Sequence, residues 1–152
     1  MPERAPRVIL AFDFGLRRIG IAAGNTISGA ATPLGAALAT PAGPDWSAID
    51  RHLKHYEPDL LIVGRPYNVD GSIGTLEAAA SEFAAAVAAR AGRPVARVDE
   101  RYSSLEASAQ LKQARAAGSR GRIERADIDG QAAAILLERY LSGERDGPRS
   151  EQ

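Results

Sequence analysis

Four carboxylates stand where secondary-structure preference does not call for them. Asp13 closes the apolar run Val8-Ile-Leu-Ala-Phe12, although Asp is a poor strand former. Asp99 and Glu100 close a second run that begins near Val95. Asp129 falls in the first turn of an apolar-periodic segment, in line with Ala133, Leu136 and Tyr140, which turns it inward. Acids that converge at strand ends repel one another unless a cation joins them. Carboxylate oxygens suit Mg²⁺ or Mn²⁺, and two such ions roughly 3.5–4 Å apart suit the hydrolysis of a phosphodiester. The same acids also have plainer duties open to them: Asp13 could cap a turn, Asp99 could pair with Arg101, and Asp129 could sit favourably on a helix dipole. Spacing alone leaves both accounts standing.

A second feature lies just before Asp129. The segment 118–125 carries Arg120, Arg122 and Arg125, with Arg115 shortly upstream and almost nothing apolar. Arginines there could hold a phosphate backbone over the carboxylates, or they could belong to an ordinary solvated loop. Other chemistries find less support. Gly15, Gly20 and Gly24 lie within a hairpin and do not open a helix, so they make no dinucleotide fingerprint. His52 and His55 are three apart on a helix and read as a surface pair. Ser103-Ser-Leu-Glu106 is a capping box, and its serines have no His partner in view. With no cysteine in the chain, thiol nucleophiles, zinc ribbons and iron–sulfur centres are excluded.

The elements that must position the acids follow from periodicity and punctuation. Strands are expected over 7–13, 18–24, 31–39, 60–64 and 95–100, the first two as a hairpin. Pro41-Ala-Gly-Pro44 breaks the chain, and Asp45 caps a helix through Trp46, Ile49, Leu53 and Tyr56. Asn68-Val-Asp-Gly71 is turn chemistry. Ala-rich helices are expected over 75–90 and 103–117, and Asp127 caps a last amphipathic helix over 128–141. The order implies an α/β fold, one mixed sheet covered by helices.

At 152 residues, with 45% hydrophobic and 25% charged, the composition is that of one globular domain. We place it at 7–141, with flexible tails at 1–6 and 142–152. The start has no apolar signal core and no stretch approaches the length of a membrane span, so a cytoplasmic protein with no membrane partner is expected. Nineteen basic residues balance nineteen acidic ones, so bulk charge points to no partner. Aromatic residues are 5%, too few for base-stacking platforms, which favours recognition of shape and backbone in any nucleic acid.

The motif Leu10-Ala-Phe-Asp-Phe-Gly-Leu-Arg-Arg-Ile-Gly-Ile-Ala22 resembles the opening motif of the bacterial YqgF/RuvX family. Three further signatures of that family follow in order: Ile62-Val-Gly-Arg-Pro-Tyr-Asn-Val-Asp-Gly71, Val98-Asp-Glu-Arg-Tyr-Ser-Ser104 and Ile128-Asp-Gly-Gln-Ala-Ala-Ala-Ile-Leu136. Together they span the chain from Val8 to Leu141. The resemblance implies an RNase H-like fold, a five-stranded sheet of three antiparallel strands and then two parallel to the first. It implies a metal-dependent nuclease maturing the 5′ end of pre-16S rRNA, with Asp13, Glu100 and Asp129 as catalytic and metal-binding triad for Mg²⁺ or Mn²⁺. Because adjacent strand residues face opposite ways, only one of Asp99 and Glu100 can join it; the family motif selects Glu100. Arg65, Asn68 and Arg101 would border the cleft and contact substrate together with Arg120, Arg122 and Arg125. The resemblance departs at Asn25, where many members carry an acid.

Three functions remain in competition. The first is a nuclease on structured RNA, free or within a ribosomal particle, acting as a monomer or weak homodimer. The second keeps the site but acts as a resolvase on four-way DNA, which demands two symmetric cuts and therefore a stable dimer. The third is a non-catalytic nucleic-acid-binding module on the same scaffold.

Overall fold

The computed structural model describes residues 7–66, 75–99 and 125–143. Six strands form one sheet: β1 (Val8–Asp13), β2 (Arg18–Asn25), β3 (Ala31–Thr40), β4 (Gly43–Pro44), β5 (Leu60–Arg65) and β6 (Val95–Asp99), in the order β4-β3-β2-β1-β5-β6. The expected topology is present. β1 pairs antiparallel with β2 and β2 with β3, while β5 runs parallel to β1 and β6 parallel to β5. The sheet exceeds the expected five strands by β4. The Pro41–Pro44 breaker does not merely interrupt the chain; it folds Gly43 back onto Thr40, whose hydroxyl accepts from the Ala42 N–H. A two-residue strand carries no periodicity from which it could be read.

Three helices are described: α1 (Trp46–Tyr56), α2 (Thr75–Ala91) and α3 (Arg125–Leu141). Asp45 caps α1 by accepting from the Ala48 N–H at 3.2 Å. Glu57 closes it in the left-handed region, and Pro58 prevents its continuation. α3 begins three residues earlier than expected, so Asp127 lies in its first turn and is not its cap. Arg125 and Ala126 are good helix formers, and an acid in the first turn suits the dipole. At the other end Ser142 and Gly143 donate to the carbonyls of Glu138 and Tyr140 and finish the helix. The helix expected over 103–117 lies outside the described residues.

Alternation along the strands divides the core in two. Leu10, Phe12, Ile19, Ile21, Leu61 and Val63 face α1 and α2 and pack on Ile49, Phe83, Ala84 and Val87. Ile9, Ala11, Leu60, Ile62 and Val98 face Leu136 and Leu137 of α3. On β2 the residues turned toward α3 are Gly20, Ala22 and Gly24, and their small size lets the helix backbone settle onto the strand. Beside it, Leu34 and Gly35 of β3 together oppose Ile21 of β2, a bulge that Gly35 accommodates at φ 86°. A Cβ on Gly130 of α3 would lie 2.8 Å from the Gly35 nitrogen.

Candidate active site

β1 turns Ile9 and Ala11 toward α3, so its last residue, Asp13, faces the same way. Its cross-strand partner is Gly20. The space that a Gly20 Cβ would fill is occupied by the Asp129 carbonyl. Residues directly opposite in an antiparallel pair share a face, with Cβ positions roughly 4.5–5.5 Å apart. Asp13 and the backbone of Asp129 thus both adjoin Gly20, whose lack of a side chain lets α3 approach β2 there. The inward direction expected for Asp129 is correct, and its carboxylate is 21% exposed.

Asp129 has a partner that sequence reasoning missed. Arg18, the first residue of β2, places Nε 2.6 Å from Asp129 Oδ2. Arg18 shares its strand parity with Gly20, and its side chain is 28% exposed, partly desolvated yet open to solvent. The signal available in the sequence was the alternation Arg18-x-Gly20-x-Ala22-x-Gly24, a small-residue stripe with a cation at its head.

The other candidates scatter. Asp99 belongs with Val95 and Arg97 by parity, on the side of α2, and stands opposite Arg65 in the β5–β6 ladder. Arg97 makes two hydrogen bonds to Glu77 of α2, at 2.8 and 3.2 Å, and donates to the carbonyls of Val63 and Gly64. Arg65 lies 3.9 Å from the same Glu77, so it is engaged on the opposite face of the sheet from Asp13. Arg125 is exposed at the start of α3, four residues before Asp129 and on the same helical stripe. From the far end of α3, Arg139 donates to the Asp99 carbonyl at 3.1 Å and holds the end of β6. Asn25 pairs with Val8 at the opposite end of β1 from Asp13, where its Oδ1 accepts from the Ile27 and Ser28 N–H groups. The absence of an acid there is thus remote from the aspartates. His52 and His55 pack on Tyr56, with centroids at 6.3 and 4.7 Å. Glu100, Asn68, Arg101, Arg120 and Arg122 lie outside the described residues.

The profile of the RuvX family, described as a Holliday junction resolvase, matches residues 7–143. The chain belongs to the RuvX family. Relatives named "Putative pre-16S rRNA nuclease" include one from Chromohalobacter salexigens, 42% identical over 93% of this chain and 94% of its own length. Another, from Edwardsiella ictaluri, is 41% identical over 91% of this chain and 97% of its own. Among solved structures, Thermus thermophilus RuvC in complex with a Holliday junction substrate superposes with a TM-score of 0.52, covering 91% of this chain and 98% of that one. At 17% identity that likeness shows the fold alone, the RNase H-like architecture. Membership of RuvX makes the chain a nuclease, a nucleic-acid-hydrolysing enzyme.

Among the described residues no three ligating side chains gather at one point, and Glu100, the third expected member, is not one of them. The donor chemistry nevertheless fits a small divalent cation. Asp13 and Asp129 offer hard carboxylate oxygens from two separate elements on one face, and the chain contains no cysteine to favour a softer metal. Among the described residues, no helix is long and apolar enough to cross a membrane.

Proposed function

We propose that this RuvX chain hydrolyses phosphodiester bonds in a divalent-metal-dependent reaction and that its substrate is the 5′ extension of pre-16S rRNA. The observation that carries the site is that Asp13 and the backbone of Asp129 both adjoin Gly20. The parity of β6 supports Glu100 as the third ligand, since Ala96 and Val98 face α3 and Asp99 does not. Asp13, Glu100 and Asp129 would hold Mg²⁺ or Mn²⁺, as one ion or a pair. The bound cation supplies Lewis acidity and charge neutralisation for phosphodiester hydrolysis. The chain's own contribution is positional. β1 presents Asp13, α3 presents Asp129, and the close seating of α3 on Gly20 fixes the two relative to each other before substrate arrives.

Arg125, at the exposed start of α3, would guide the phosphate backbone together with Arg101, Arg120 and Arg122, and Asn68 would border the cleft, whereas Arg65 lies toward Glu77 on the other face of the sheet. The relatives' name supports the pre-16S rRNA substrate. The family's description supports a second reading, cleavage of four-way DNA junctions. A single assay separates them. Purified protein with Mn²⁺ is offered 5′-extended pre-16S RNA and a four-way DNA junction in parallel, beside the Asp13→Asn variant. We expect RNA cleavage that falls by a factor of about 10²–10³ in the variant, the loss that accompanies removal of a transition-state charge stabiliser. Junction cleavage alone, by a stable dimer, would select the resolvase. Equal activity in both proteins would remove Asp13 from the site.

A further inference from the structure

Arg18 and Asp129 form an arrangement that serves neither folding nor metal binding well if it is permanent. A cation 2.6 Å from Asp129 Oδ2 competes directly with a divalent ion for the same oxygen. Among the described residues each is the other's one side-chain hydrogen-bond partner, and only Nε of the guanidinium is used. The remaining donors of that group form the planar fork suited to phosphate oxygens. Arg18 also shares the face of Gly20, and so that of Asp13, and its side chain stays partly open to solvent.

We propose that Arg18 is a substrate-phosphate ligand parked on Asp129, and that transfer of its guanidinium to a nucleic-acid phosphate releases Asp129 for the metal. The inference rests on the nuclease reading above and adds to it a coupling between the two ligands. In the free protein Arg18 weakens metal binding by occupying and neutralising a donor. An arriving phosphodiester takes the guanidinium, so each ligand tightens the other by the same factor. Aspartate side chains that would otherwise repel each other are meanwhile kept compatible in the unloaded site.

Two binding measurements test this without reading turnover. In the first, Mn²⁺ alone is titrated into the wild-type, Arg18→Ala, Arg18→Lys, Asp13→Asn and Asp129→Asn proteins and followed by electron paramagnetic resonance. Arg18→Ala is expected to bind Mn²⁺ at least about fivefold tighter, the lower end of ordinary coupling between sites. Arg18→Lys, which keeps the charge, is expected to stay within about twofold of wild type, the spread to be expected of a single interaction in two contexts. In the second, the affinity for an RNA hairpin is measured by fluorescence anisotropy with and without Ca²⁺, which takes oxygen ligands as Mg²⁺ does. Ca²⁺ is expected to tighten the wild-type complex by about fivefold or more and to have little effect on Arg18→Ala, which has no cation to hand over.

A folded Arg18→Ala protein with unchanged or weaker Mn²⁺ affinity would overturn the proposal and make Arg18 a structural partner of Asp129. Should Arg18→Ala unfold, Arg18→Gln, which keeps much of the length and removes the charge, decides: retention of the full Ca²⁺ effect would equally overturn it. If neither Asp13→Asn nor Asp129→Asn alters Mn²⁺ affinity, the metal reading itself fails, an outcome distinct from failure of the coupling.

Discussion

The two faces of the sheet are made by alternate residues of the same strands, yet they are built on opposite plans. Toward α1 and α2 the strands present Leu10, Phe12, Ile19, Ile21, Leu61 and Val63. Phe83 of α2 sits in the middle of that face, edge-on to Phe12 at 5.5 Å, tilted on Phe14 at 5.3 Å and stacked on Trp46 at 5.6 Å. Arg90 covers the outer side of Trp46 at 4.5 Å and pairs with Asp50. Toward α3 the central strand β2 instead presents Gly20, Ala22 and Gly24, and the helix answers with Gly130, Ala133 and Ala134. Large side chains keep a helix at a distance and fill the gap with apolar area. Small ones let backbone meet backbone, which sacrifices buried area and gains positional accuracy. The first face supplies cohesion; the second seats α3 so that Asp13 and the backbone of Asp129, from distant parts of the chain, both adjoin Gly20.

If that division is right, substitutions on the two faces should separate stability from rate. The largest expected effect is on the cohesive face. Phe83→Ala removes a side chain only 4% exposed together with three aromatic contacts, and should cost about 3–5 kcal/mol in urea unfolding. Wherever the variant remains folded, its cleavage rate should stay close to wild type. Gly20→Ala is the converse. Its added methyl meets the Asp129 carbonyl and forces α3 outward, for about 1–3 kcal/mol of stability. A displacement of about 1 Å at the acids should lower the cleavage rate by roughly 100-fold. Gly24→Ala is its control. The new methyl there would lie 2.9 Å from Leu137 Cδ2 and 2.5 Å from the Ala30 oxygen, at the far end of the same stripe. A comparable loss of stability with a much smaller loss of rate is the expected result, measured by unfolding and single-turnover cleavage. Equal rate losses at Gly20 and Gly24 would break the distinction between cohesion and placement.

Much of this division could be read before any coordinates. Asp13 at the end of an apolar run and Asp129 on the inward stripe of its helix are local signals, and strand parity assigns Glu100 and Asp99 to opposite faces. The parallel β5 was legible because Leu60–Gly64 is apolar on both faces. Arg18 was not legible. Its pairing with Asp129 spans 111 positions and depends on where α3 crosses β2, which no local period encodes. The glycines of β2 were read only against nucleotide-binding motifs, although their alternation with Ile19, Ile21 and Ala23 already indicated a face that receives a helix. Arg65 shows the same limit. It adjoins the cleft in sequence, but one step of strand parity turns it toward Glu77 on the cohesive face.

The smallest expected effect comes from the cohesive face and concerns pH. His52 is half-buried on α1, and burial first, then the charges of Arg51 and His55, holds its pKa below the ordinary 6.5. A histidine depressed in the folded state binds fewer protons there than in the unfolded chain. Its neighbours therefore impose no cost above about pH 6.5, where both states are neutral. Stability is lost as pH falls from there through the lower folded value, because the unfolded chain takes up the proton first. Below that value both states are charged and the loss is complete. Much of the ring remains solvated, so the effect should be small and should diminish in high salt as the Arg51 and His55 contributions are screened. Thermal unfolding of wild type and His52→Gln from about pH 8 to about pH 5 measures it. The variant should show a shallower acid slope, while Asp13→Asn, on the other face, should leave the part of the slope due to His52 unchanged. Identical slopes in wild type and His52→Gln would place the pH sensitivity of folding among the carboxylates instead.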